Sequence, residues 1–178
     1  MRSLARVLSA TVQSVMEADD VLSVVDLLRR AGTDFWVGGG WGIDTLIGRQ
    51  SRDHRDLDLM HRLEQEPAVL AALGTAGFVE TLDQRPVRFV LTDSTGRAID
   101  LHPLVFAEDG SALQSSFDTA SPFHYPSSSF VTGNLGGTVV PCLSAEQQVY
   151  FHQGYEPTDR DLADMAQIRM AFGIATHF

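Results

Sequence analysis

The 178-residue chain predicts a mixed α+β fold with a helical tail, and three observations carry that reading. Short β-branched or aromatic runs ending in glycine or turn residues alternate with segments whose apolar residues recur at helical spacing. No internal repeat or long low-complexity stretch interrupts that order. Hydrophobic residues make up 44% and charged residues 20%, enough for one core and unlike a disordered, collagenous or coiled-coil chain.

Taken in order, Met1 to Met16 lacks the apolar core of a signal segment. Its Arg2, Ser3, Arg6, Ser9 and Ser14 give it the acid-poor look of a transit peptide, but we read it as a frayed start. Residues 19–31 place Val21, Leu22, Val25 and Leu28 on one helical face, with Asp19 or Asp20 as cap and Gly32 as stop. Phe35-Trp36-Val37 reads as a short buried strand that ends in Gly38-Gly39-Gly40, and a helix from Trp41 to Ile47 opens from those glycines and closes at Gly48. After an Arg-rich turn, Asp56 to His61 alternates as a strand and residues 64–76 read as helix. Val87 to Thr92 and Arg97 to Leu104 form a hairpin about Asp93, Ser94 and Gly96. The Ser-, Gly- and Pro-rich region 107–137 reads as loops, with short strands at Phe130-Val131 and at Thr138 to Val140. Ser144 with Gln147 makes a capping box for a helix to about Gln153, and Thr158 with Asp161 makes one for a last helix to about Phe172, whose stripe is Met165, Ile168 and Phe172.

Composition removes several function classes. The net charge is −10, which opposes nucleic-acid binding by phosphate neutralisation and suits a cationic partner, though excess acid also serves solubility. All 13 basic residues are Arg. Without lysine there is no Walker-type phosphate lysine, no Schiff base and no covalent lysyl-nucleotide. The lone Cys142 offers neither an internal disulfide nor a Cys-based zinc site. No apolar run reaches the roughly 18 residues that cross a bilayer, so we expect a soluble, cytoplasmic protein without a membrane partner.

The chemistry concentrates between Gly39 and Asp58. On an extended strand, Asp56 and Asp58 point to one side while Leu57 and Leu59 point to the other. Such a pair of carboxylates suits Mg²⁺, a hard cation that shares its shell with substrate phosphates. Taken alone, Asp-x-Asp is a solvated strand face. The strand 97–104 repeats the pattern with Asp100 and His102 against Ile99 and Leu101, so neighbouring strands would bring three acids to one surface, which a divalent cation relieves. The glycine turn opening into a helix presents backbone N–H groups and a positive dipole end, a cradle for polyphosphate. Arg52 is the expected neutraliser of phosphate charge, with Arg49 and Arg55 as alternatives. Asp44 is expected to tether Arg52 or a neighbouring turn, His54 to touch phosphate, His102 to touch the acceptor, and Tyr155 and Glu156 to line an acceptor pocket. Trp41 fits the core better than a base-stacking role.

The run Gly39-Gly40-Trp41-Gly42-Ile43-Asp44, then Leu46-Ile47-Gly48-Arg49-Gln50, Arg52, His54 and Asp56-Leu57-Asp58, resembles the signature of antibiotic nucleotidyltransferases of the lincosamide and aminoglycoside type, within the polymerase-β-like nucleotidyltransferase superfamily. The resemblance continues through Ile99-Asp100-Leu101-His102 and Phe151-His152-Gln153-Gly154-Tyr155-Glu156, covering about residues 19–173. It departs where the superfamily often has Gly-Ser and this chain has Gly39-Gly40.

The resemblance implies a polymerase-β-like fold, a twisted mixed sheet flanked by helices, in one domain over 1–178 with a catalytic core at about 19–105 and loops plus helical tail at about 106–178. It implies transfer of a nucleoside monophosphate from a nucleoside triphosphate to a hydroxyl of a small, antibiotic-like acceptor, with pyrophosphate released. Two Mg²⁺ ions would be held by Asp56 and Asp58, and Asp100 would be general base or third ligand. Gly39, Gly40, Arg52, Asp44 and His54 would serve the nucleotide, and His102, Tyr155 and Glu156 the acceptor. Two alternatives stay open: transfer to a protein or RNA, and a catalytically inactive nucleotide-binding module. The apolar tail also offers a homodimer surface.

Overall fold

The computed structural model describes residues 15–178, so all but the last two residues of the stretch read as a frayed start lie outside the described residues. Among the described residues, five α-helices surround a nine-stranded mixed sheet. The first half runs α1 (Ala18–Arg30), β1 (Phe35–Val37), α2 (Gly39–Ile47), β2 (Asp56–Arg62), α3 (Glu66–Thr75), β3 (Val79–Gln84), β4 (Arg88–Thr92) and β5 (Ala98–Phe106). The second half runs β6 (Ala112–Gln114), β7 (Phe123–Tyr125), β8 (Phe130–Leu135), β9 (Thr138–Leu143), α4 (Ala145–Phe151) and α5 (Asp159–Phe172). The strand order is β3-β4-β5-β2-β1-β9-β8, with β6 on β5 and β7 on β6. β2 pairs with β5 in parallel, and β1 with β9 in parallel. The other pairings are antiparallel, including the expected β4–β5 hairpin.

The pleat of this sheet sorts the side chains. Leu57 and Leu59 of β2 and Ile99 and Leu101 of β5 point into a core completed by α1 and α3 through Val21, Val25, Leu28, Val69 and Leu73. The alternate residues face the opposite side, where Met60, Leu104, Tyr125 and Leu143 form a separate cluster. A third cluster ties α2 to α4 and α5 through Ile43, Val149, Met165 and Ile168. Burying β2 on both faces is what makes it a central strand, and the acids lie on the face turned away from α1 and α3.

Several local expectations change in detail. The cap of α1 is Glu17, with Asp20 completing the box from inside the helix, because the helix starts at Ala18, one residue earlier than expected. Ser144 accepts the Gln147 amide at 3.3 Å, but the Gln147 side chain turns to Ser129 and His124 instead of closing the box, and α4 stops at Phe151. The box of α5, Thr158 with Asp161, is complete. The structure adds β3, β6 and β7, and it extends the strands at 130 and 138 to Leu135 and Leu143. β3 lacks any buried residue, so it carries no apolar alternation to read. No helix among the described residues is long and apolar enough to cross a membrane.

Candidate active site

The glycine corner and the acids meet because the β1–α2 turn folds over the start of β2. The Gly38 amide donates to the Asp58 carbonyl at 2.9 Å, and the Gly42 amide closes back on Gly38 at 2.7 Å. Gly39 sits at φ +54°, and a Cβ there would fall on the Asp58 carboxylate. At Gly40 a Cβ would strike the His54 ring and the Arg52 guanidinium. That packing accounts for glycine where the resembled superfamily often has serine, since no side chain fits between the turn and His54.

Parallel pairing of β2 with β5 sets Asp58 directly beside Asp100 and Asp56 beside Ala98. Asp58, Asp100 and His102 each offer an atom, all within 4.8 Å of one another. One oxygen of Asp100 is ion-paired with Arg88, while the other, Oδ1, is buried and accepts no hydrogen bond among the described residues. Burial raises the Asp100 carboxyl, with Asp58 adding to the effect and His102 and Arg88 opposing it. Asp56, at the exposed start of the strand, is also raised, by desolvation and then by the charges of Asp58 and Asp100. An orphaned carboxylate oxygen, repelling acids and a space that a Cβ would fill are what a divalent cation would complete, so the residues present fit Mg²⁺.

His102 stands over this group with Nε2 3.4 Å from Asp58 Oδ1 and 3.7 Å from Asp100 Oδ1. Behind it, Gln114 of β6 donates to His102 Nδ1 at 3.0 Å and accepts from the Tyr125 hydroxyl at 2.5 Å. Gln114, Tyr125 and Arg88 were outside the sequence reading. The first two lie in the stretch read as loops, and strands of three residues leave no periodicity to detect.

Other expected residues are placed differently. Asp44 is wholly buried and spends its carboxylate on the Ser51 amide at 3.0 Å, the Ser51 hydroxyl at 2.5 Å and His54 at 2.5 Å, so it tethers the turn and does not touch Arg52. His54 is buried beneath Gly40 and packs tilted against Trp41 with centroids 4.6 Å apart, so neither Asp44 nor His54 faces the open side where phosphate would lie. Trp41 is in the core. Arg52 reaches the glycine corner, but Asp164 of α5 holds its guanidinium through two bonds of 2.9 and 2.7 Å and keeps it firmly charged. Arg49 bonds to Gln167 at 2.7 Å. Arg55 is exposed beside Asp56, and its guanidinium has no ion pair among the described residues. The one hint of Asp164 in the sequence is an acid on the Met165–Ile168 stripe.

A cavity of about 190 Å³ opens beside the acids, with Asp58, His102, Met60, Phe123, Tyr125 and Phe151 in its wall. Tyr155 and Glu156 are not part of it: Tyr155 is turned to Asp161 at 3.1 Å and packs on Phe178. A larger hollow of about 410 Å³ around Val87, Ser115 and Phe117 has no acid in its wall, whereas the smaller one opens on Asp58.

Both the sequence and the fold match known proteins. A sequence profile of the aminoglycoside-2''-adenylyltransferase family matches residues 20–168. A lincosamide resistance protein of Staphylococcus haemolyticus is 29% identical over 150 residues, which span 84% of this chain and 92% of the relative. A 2''-aminoglycoside nucleotidyltransferase of Escherichia coli is 27% identical over 142 residues, 76% of this chain and 75% of the relative. Among solved structures, the lincomycin-bound lincosamide antibiotic adenylyltransferase LnuA superposes with a TM-score of 0.79 at 28% identity, covering 88% of this chain and 98% of that one. The fold of ANT(2'')-Ia in complex with adenylyl-2''-tobramycin is shared at a TM-score of 0.70 and 19% identity, over 88% and 89% of the two chains. The chain belongs to the aminoglycoside-2''-adenylyltransferase family and is a nucleotidyltransferase of that antibiotic-modifying type.

Proposed function

We propose that the protein transfers a nucleoside monophosphate, an adenylate by the name of its family, from a nucleoside triphosphate to a hydroxyl of a lincosamide-like acceptor, releasing pyrophosphate. The observation that carries this reading is the Asp58–Asp100 register pair with its unpartnered Asp100 oxygen, set against the Gly39 turn. Asp56 and Asp58 would hold the Mg²⁺ ions, with Asp100 beside them as the base. Bound there, the ions would neutralise the triphosphate and stabilise the entering and leaving oxygens of an in-line displacement.

The chain's own residues do the positioning. The glycine corner lets phosphate approach the backbone at the start of α2, where the helix dipole favours an anion. Arg55, exposed next to Asp56 and without an ion pair among the described residues, is a cation placed to meet it, whereas Arg52 is bound to Asp164. Asp100, with a raised carboxyl and a free oxygen beside the cavity, takes the proton of the acceptor hydroxyl. The cavity wall of Met60, Phe123, Tyr125, Leu143 and Phe151 suits an acceptor with an apolar arm. Among the described residues Asp58 is the one carboxylate in its wall, which favours a weakly charged acceptor over a polycationic aminoglycoside.

The test follows pyrophosphate release with Mg²⁺, each nucleoside triphosphate and a panel of lincosamides, aminoglycosides and hydroxylated controls. The expected result is release that requires both Mg²⁺ and a lincosamide and disappears in Asp58→Asn. Release with aminoglycosides alone would overturn the acceptor assignment, and none with any acceptor would leave a nucleotide-binding module.

A further inference from the structure

By position, Asp58, Asp100 and His102 invite a cation site of two carboxylates and one imidazole. The bonds behind His102 argue otherwise. Gln114 is only 5% exposed, and its side-chain nitrogen lies 3.1 Å from the Val87 carbonyl. A carbonyl can only accept, so the atom facing it must be the amide NH₂, which leaves Gln114 Oε1 for the Tyr125 hydroxyl. The same NH₂ meets His102 Nδ1 at 3.0 Å. Two donors would repel there, so Nδ1 presents its lone pair and the proton of the neutral ring sits on Nε2. Nε2 is the atom turned to the two acids.

We propose that Gln114, fixed by Tyr125 and the Val87 carbonyl, is a positioning residue that locks His102 as an Nε2–H donor to Asp58, so that carboxylates alone among the side chains hold the cation. The inference rests on the divalent-cation reading of the acid face. His102 steadies Asp58 Oδ1, and Asp58 Oδ2 lies against Gly39. An all-oxygen side-chain set favours Mg²⁺ or Mn²⁺ over Zn²⁺, which a free imidazole nitrogen would attract.

The test is the ¹⁵N spectrum of the histidine rings in the full chain at about pH 8, above the ordinary histidine pKa. For His102 it should show protonated Nε2 and unprotonated Nδ1, both before and after saturation with Mg²⁺. A proton on Nδ1, or loss of the Nε2 proton when Mg²⁺ is added, overturns the proposal. Gln114→Ala should mix the two tautomers and lower kcat by about 10- to 100-fold with the nucleotide KM held. Tyr125→Phe keeps the ring volume and should loosen the preference less. An unchanged Nε2–H form in folded Gln114→Ala removes the role of Gln114. The spectra need neither nucleotide nor acceptor. An intact Nε2–H form without pyrophosphate release therefore counts against the proposed function alone, and an Nδ1–H form in an active enzyme counts against this inference alone.

Discussion

A methyl group added at position 39 would displace the Asp58 carboxylate and would sit on a backbone held at φ +54°. Gly39→Ala should therefore cost about 1–2 kcal/mol of stability from the left-handed backbone, seen as a lower urea midpoint. Pyrophosphate release should fall by more than that stability loss explains, because the carboxylate itself moves. Full activity in folded Gly39→Ala would mean that Asp58 is not where the reaction needs it. At this scale the glycines and the acids were legible in the sequence because strand alternation fixes which side chains share a face, and Asp56, Asp58 and Asp100 needed only that rule. Their partners were not legible. Arg88 reaches Asp100 across a strand pairing, and Gln114 reaches His102 from a three-residue strand, contacts that depend on register between segments far apart in the chain.

β2 carries the acids on one end and a buried histidine on the other. His61 is fully buried, packs edge-on to Phe89 with centroids 5.9 Å apart, donates from Nδ1 to the Arg62 carbonyl at 2.9 Å and leaves Nε2 without a hydrogen-bond partner among the described residues. Desolvation lowers its pKa from the ordinary 6.5. The fold thus refuses a proton that the unfolded chain accepts, so stability falls as pH drops below about 6.5. His61→Leu should flatten that part of a stability–pH curve measured by urea unfolding, and an unchanged slope would show that another group sets it. α5 makes a comparable tie. Asp164, with a side chain 4% exposed, grips Arg52 and so fixes the last helix to the glycine corner. Asp164→Asn, which weakens a charged hydrogen-bonded pair, should cost about 1.5–3 kcal/mol in the same assay and should raise the nucleotide KM as the glycine corner against which Arg52 packs loosens. A loss of stability with unchanged KM would confine the tie to folding. Helices and central strands were readable from periodicity, and β3 was not, because an exposed edge strand writes no apolar pattern.

Across the whole molecule, the sheet divides the chain into an apolar face sealed by α1 and α3 and a chemical face on which acids meet an aromatic cavity. The sequence revealed the first face almost completely and the acids of the second. It did not reveal the cavity wall, which β6, β7 and α4 assemble from the region that read as loops and from the start of the tail. Grouping the acids costs stability at neutral pH, since burial and mutual repulsion raise Asp56 and Asp100. A bound divalent cation returns that stability through linkage. The most direct measurement is the thermal midpoint of the whole chain at neutral pH with and without Mg²⁺, in the wild type and in Asp58→Asn. The wild type should melt higher with Mg²⁺, while Asp58→Asn should melt higher than the wild type without the ion and gain little from adding it. Equal Mg²⁺ responses in the two proteins would contradict a cation held by these aspartates.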